Sequence, residues 1–175
     1  LSVCQWKFLT SNVNGIKAVA LMRKMLLSFK PEVYEKIKSG KKKFEHRRNF
    51  PDDPIMAYMY VSAPVKAIVG IMTLSNKVMI ESWKEKFSYD KAAVERIDNY
   101  LKMHTVAMEI TNFQNTNMIP LEQLRNDLPG FVVPQMYYYI EDSLLLEYLE
   151  NNLKPEGELI KHSFENITSD MICTH

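Results

Sequence analysis

Between Met25 and Arg48 the hydrophobic period changes twice, and this confines the fold more than any other feature of the chain. Met25 to Phe29 is an apolar run of strand length. Lys30-Pro31 then opens a helix, with proline near the first helical position, where its missing N–H leaves no intrahelical bond unmade. Val33, Tyr34 and Ile37 supply an apolar stripe at helical spacing. Gly40 suits the position just past the helix, and Lys36 and Lys38 in the last turn complement the negative end of its dipole. From Lys42 to Arg48 the period becomes two: Phe44 and His46 share one face, and Lys43, Glu45 and Arg47 share the other. Strand, helix and strand follow one another without a long connection.

Met56 to Ser62 and Val65 to Leu74 read as strands separated by Ala63-Pro64, with Gly70 marking a bulge or a close approach of backbone. Glu81 to Phe87 and Asp90 to Met103 read as helices, the second with Asp90 as N-cap. Thr105 to Phe113 is a strand, Pro120 to Asn126 a short helix, and Val132 to Ile140 a strand carrying Tyr137-Tyr138-Tyr139. Glu141 to Leu153 closes the series as a helix. Helices are inserted between strands without regular βαβ alternation. The expected fold class is therefore α+β, a small mixed or largely antiparallel sheet or β-barrel with peripheral helices. The expected organisation is an N-terminal extension over 1–24 with a short helix from Ile16 to Lys24, one domain over 25–155, and a C-terminal tail over 156–175.

The net charge is only +1, but it is unevenly placed. Lys36 to Arg48 holds seven Lys/Arg against Glu45 alone, which leaves 15 cations and 20 anions for the rest of the chain. A near-neutral protein with one concentrated basic segment suits a local anionic ligand better than general adhesion to polyanions. A solvated lysine-rich turn is the plain alternative. No apolar run approaches the roughly 20 residues that span a bilayer, so no membrane partner is expected. Cys4 and Cys173 lack a CxxC or Cys/His neighbourhood, so no metal site and no cofactor is expected. Free cysteines and the absence of a signal-peptide pattern in the first residues fit a cytoplasmic protein.

Four stretches resemble the ASCH domain, a branch of the PUA-like superfamily. LLSFKPEVYEKIKSGKKKFEHRR is similar to its opening strand, Lys-Pro, helix, Ser-Gly, Lys and Glu-x-Arg. MYVSAPVKAIVG is similar to its strand, small residue, proline and strand. ESW is similar to the start of its middle helical insert, and FVVPQMYYYI to the Pro-Gln and aromatic strand of some members. The resemblance runs from Met25 to about Ile140. It implies a small PUA-like β-barrel with peripheral helices, a cleft lined by the Glu-x-Arg strand, and a role in binding RNA or modified nucleosides. Some small relatives are amidohydrolases of acetylated cytidine that use a Lys, a Thr three residues later and a more distant Glu. The lysine position falls on Lys42. The threonine position falls on Glu45, a departure from the pattern, and Glu81 and Glu85 match the distant Glu by location only. Other relatives are ribonucleases.

The candidate nucleic-acid-binding residues are Lys30, Lys41, Lys42, Lys43, Glu45, Arg47 and Arg48. Glu45 can accept from a base amino group, and Arg47 can fork onto a phosphate or a carbonyl. Lys42 needs only its charge to contact phosphate; as a catalyst it needs a lowered pKa, to which Lys41 and Lys43 would contribute by repulsion. Lys42 and Glu45 are the catalytic candidates if the chain is an enzyme. His46 is expected in the core beside Phe44. Ser62 and Tyr138 are candidate pocket residues, with turn formation and packing as their plainer roles. The function readings are an RNA- or nucleotide-binding module, a small hydrolase centred on Lys42 and Glu45, and an accessory domain that contacts proteins. The sequence leaves the oligomeric state open.

Overall fold

A computed structural model describes residues 22–174. β1 (Arg23–Phe29) leads through α1 (Pro31–Lys38) to β2 (Phe44–Arg47), β3 (Ile55–Val61) and β4 (Ala67–Met79). A single 3₁₀ turn (Ile80–Ser82), α2 (Trp83–Lys86) and α3 (Lys91–Leu101) precede β5 (Val106–Pro120). α4 (Leu121–Asp127), β6 (Tyr137–Tyr139), α5 (Leu144–Asn152) and β7 (Ile160–Lys161) complete the order. The local chemistry sets the boundaries. Pro31 starts α1, and Gly40, at φ +72°, takes the left-handed conformation that ends it. The Asp90 carboxylate accepts from the Ala93 amide and caps α3, as its position suggests.

The sheet runs β2-β5-β4-β3-β1-β6, with β7 added alongside β5. Among the described strands only β1 and β3 are parallel. Three strands separate β2 from β1, which in a flat sheet would put them roughly 19 Å apart. Yet the Arg47 guanidinium on β2 donates to the Ser28 carbonyl on β1 at 3.0 Å. The Tyr137 hydroxyl on β6 likewise reaches the Asn49 carbonyl just past β2 at 3.3 Å, and the Tyr137 ring stacks on Phe50. The sheet therefore curls into a half-barrel whose open seam is crossed by side chains.

The concave side is filled by alternate residues such as Leu27, Phe29, Met59, Met72 and Phe113. α1 plugs it with Tyr34 and Ile37, and the Tyr34 hydroxyl donates to Asn115 on β5 at 2.7 Å. Two apolar clusters cover the convex side. Phe44, Trp83, Ile97 and Tyr100 join β2 to α2 and α3; Leu26, Tyr58, Leu124 and Leu149 join β1 and β3 to α4 and α5. Gly70 is the close approach its position predicts: a Cβ there would stand 2.9 Å from Phe113 and 3.0 Å from the Gln114 carbonyl.

Four expectations differ. β4 and β5 run well past Leu74 and Phe113, because their long mutual pairing carries polar residues along with it. Asn76 takes φ +51° at the bulge this creates and donates to the Glu109 carboxylate at 2.6 Å. The strand expected over Val132 to Ile140 shrinks to Tyr137–Tyr139; Pro134 has no N–H for a ladder. The N-terminal extension and the helix expected from Ile16 lie outside the described residues up to 21, and Arg23 and Lys24 are already in β1. Residues 156–175, read as a tail, place Ile172 and Cys173 in the core beside Phe44 and Trp83.

Candidate functional site

β2 pairs with β5 so that Glu45 lies opposite Met108, a residue of the concave core, and His46 opposite Ala107, a residue of the convex core. Directly opposed residues point to the same side of a sheet. The alternation anticipated for this strand is therefore real, but both of its faces are covered. Phe44, Glu45 and His46 are all about 95% or more buried.

The charged groups gather at the seam. The Arg47 Nε lies 2.9 Å from Glu45 Oε1, an ion pair without hydrogen-bond alignment. Its Nη2 donates to Ser28, and its guanidinium carbon sits 5.3 Å from the Phe29 ring centroid. Lys42 is 5% exposed. Its Nζ is 3.8 Å from Glu45 Oε2, 3.3 Å from His46 Nδ1 and 3.2 Å from the Thr174 carbonyl, to which it donates. Glu45 thus stands between two cations at the closing edge of the half-barrel. Burial pulls the Lys42 amine below its ordinary range, and the charge of Glu45 opposes that fall. The Tyr100 hydroxyl, beneath His46 at 4.8 Å between ring centroids, is pushed up by burial.

Thr174 arrives on a segment that is anchored before it reaches Lys42. Phe164 meets Phe44 edge-on at 5.3 Å, Arg96 donates to the Ser169 carbonyl at 2.6 Å, and Ser169 donates to the Asp90 carboxylate at 2.7 Å. Cys173 is buried beside it, and that burial raises its thiol to about 12, which keeps it protonated and unreactive at neutral pH.

The remaining cations of the motif face outward. Lys30, Lys41 and Arg48 are exposed and Lys43 is half-buried. Among the described residues none of these four is within ion-pair distance of a carboxylate, whereas Arg23, Lys24, Lys77 and Lys84 each are. No family model matches the chain, and no curated protein does. Three crystal structures of the ASCH protein from Zymomonas mobilis match at a TM-score of 0.58: the unsubstituted protein and two mutants. They share 21–22% identity and cover 75% of this chain and 96–99% of theirs. The fold is that of the ASCH domain.

Within this ASCH fold the structure brings Lys42, Glu45 and Arg47 into one contiguous network and leaves Lys30, Lys41, Lys43 and Arg48 on the outside. The Ser62 amide donates to the Phe29 carbonyl, and Ser62 accepts from Val65 and Lys66 as a turn residue. Tyr138 lies opposite Leu26 on the convex side, away from Glu45 and Arg47, and donates to the Val132 carbonyl. Glu81 and Glu85 are exposed and make no contact with Lys42. Sequence reasoning missed the Ser28 and Thr174 carbonyls, because a backbone acceptor leaves no mark in residue identity. Among the described residues no group of three His, Cys, Asp or Glu could hold a metal ion, and no helix is long and apolar enough to cross a membrane.

Proposed function

We propose that this protein binds RNA or a nucleotide, with Lys30, Lys41, Lys43 and Arg48 contacting phosphate and the Lys42–Glu45–Arg47 network holding the strand that carries them. The observation that carries the reading is the division of the motif. Its one buried carboxylate is held between Lys42 and Arg47, and four outward cations lie beyond ion-pair distance of any carboxylate among the described residues. Unpaired cations on a pinned strand and turn retain their full attraction for an anion. The ASCH fold supports the same ligand class. If four single-strand phosphates are neutralised, affinity for a pool of short single-stranded RNAs drops roughly fifty-fold between 50 and 200 mM salt, at a slope of about 0.7 per contact. Fluorescence anisotropy at a series of salt concentrations measures this, and a flat response rejects the reading.

One observation favours a hydrolase as the second reading: a buried amine with a lowered pKa stands 3.8 Å from the Glu45 Oε2, an oxygen that makes no hydrogen bond. The burial of Lys42 and the Thr174 carbonyl at its Nζ argue against it, since a substrate would need to displace that carbonyl. Incubation with acetylcytidine and with RNA decides: product formation abolished by Lys42→Ala would establish hydrolysis in place of binding alone.

A further inference from the structure

We propose that β6 carries a stacking platform for an unpaired base: Tyr139, with the Arg23 guanidinium laid on its ring, takes the base of a single-stranded RNA whose phosphate is held at Arg48. This rests on the RNA reading above and adds a contact to the base, which phosphate contacts do not make. Alternation divides the three tyrosines of the strand. Tyr137 and Tyr139 lie opposite Leu27 and Met25, residues of the concave core, whereas Tyr138 lies opposite Leu26 and packs on the convex side. Arg23 stands two residues before Met25 on β1 and so shares the face of Tyr137 and Tyr139. A continuous strip results. Phe50 stacks on Tyr137 at 6.0 Å, Tyr137 meets Tyr139 edge-on at 6.3 Å, and the Arg23 guanidinium carbon lies 3.9 Å from the Tyr139 ring centroid.

The strip is anchored at one end and open at the other. Phe50 is buried, Tyr137 is half-buried, and Tyr139 is 43% exposed. The Tyr137 hydroxyl donates to the Asn49 carbonyl. Arg23 is fixed by Glu141, whose Oε1 accepts from its Nε at 2.8 Å and from the Lys24 amide at 2.9 Å. A ring and a planar guanidinium already ordered in the free protein lose little freedom when a base stacks on them. Charge sorts the ligand along the strip. At the Tyr139 end Glu141 pairs with Arg23, and Asp53 lies within electrostatic reach of the same guanidinium. That end is charge-compensated, so it suits a neutral planar ring better than a phosphate. At the Tyr137 end stands Arg48, next in sequence to the Asn49 that holds the Tyr137 hydroxyl. Arg48 is exposed and, among the described residues, beyond ion-pair distance of any carboxylate. Phosphate contact and stacking surface therefore lie side by side. Every base has a stacking face, so the platform selects unpaired over paired bases rather than a sequence.

The test uses the full chain and three probes: a single-stranded adenine hexanucleotide of RNA, the same backbone without bases, and free adenosine. Tyr139→Leu, a change at an exposed position, should weaken hexanucleotide binding at least about fivefold, the lower end of what one stacked base contributes. The factor should be the same at 50 and 200 mM salt, because no phosphate contact is lost. Tyr139→Phe, which keeps the ring, should bind as the natural protein does, and the abasic strand should bind all three proteins alike. Adenosine should move the Tyr139 ring resonances in the proton NMR spectrum. The platform is overturned if Tyr139→Leu binds the hexanucleotide undiminished, a result that leaves the phosphate contacts standing. It is overturned equally if the abasic strand loses as much, which marks a general disturbance of the seam. If no RNA binds at any salt concentration, the phosphate reading falls and adenosine decides: shifted Tyr139 resonances support the platform by themselves, and resonances unmoved at millimolar adenosine overturn it too.

Discussion

Residues 30–48 and residues 127–150 are opposite in charge, and the fold treats their ions differently. In the basic region the ion pairs are internal to the motif and largely buried: Glu45 pairs with both Lys42 and Arg47 at the seam, and Lys41, Lys43 and Arg48 are left outside it. In the acidic region the pairs are external and partly solvated, formed with Arg23 and Lys24 from the neighbouring strand. The difference teaches that the charges closing the half-barrel find partners within the seam, one carboxylate between two cations, whereas charges at the rim go without. Charge left without any partner stays at the rim, where water still reaches it.

The largest effect that could break this comparison is on stability. Glu45→Ala leaves two buried cations without their anion and should cost about 3–5 kcal/mol in urea unfolding, the range for breaking a buried ion pair. A loss under about 1 kcal/mol would place the seam charges on a par with surface pairs. Next comes ligand binding. Replacing Lys30, Lys41, Lys43 and Arg48 together by Gln should lower RNA affinity at 50 mM salt at least tenfold and flatten its salt dependence by roughly four phosphate contacts. Asp127→Asn in the acidic region should leave RNA affinity unchanged in the same anisotropy measurement.

A pH experiment sharpens the contrast between buried and exposed charge. Lys42 binds its proton less tightly folded than unfolded, so the unfolded chain takes up more protons between the lowered folded pKa and the ordinary 10.5. Its contribution therefore makes stability rise with pH through that window. The buried Cys173, raised from 9.0 to about 12, acts in the opposite direction above pH 9. The difference in unfolding free energy between the natural protein and Lys42→Met isolates the Lys42 term. It should grow in favour of the natural protein as pH rises toward 10.5; a difference independent of pH up to there would contradict the burial of that amine. The smallest effect belongs to the acidic region. Lys24→Ala removes a partly solvated pair to Glu150 at 2.7 Å and should change stability by less than about 1 kcal/mol, and by less still in high salt.

Much of the first half of the fold was legible because its signals are local. Pro31 and Gly40 bracket α1 by backbone geometry, Asp90 caps α3 with its own carboxylate, and Gly70 marks a contact no side chain could share. β6 and the extensions of β4 and β5 were not legible. The ladder partner decides whether a polar stretch such as Ser75 to Lys77 stays extended, and a partner far along the chain leaves no trace in the stretch itself. The site divided the same way. Alternation placed Glu45 and Arg47 together on one face and His46 with Phe44 on the other.

By itself, then, the sequence determined which residues share a face, where the first helix begins and ends, and how unevenly the charge is spread. Only the tertiary structure decided that both faces of β2 are covered, that Lys42 lies under the carbonyl of Thr174, and that Lys41 and Lys43 on either side of it look outward. The reason is that a period of two is a property of the backbone. Burial depends on what closes over each face, here a curled sheet, a plugging helix and a returning chain end that meet β2 from opposite sides.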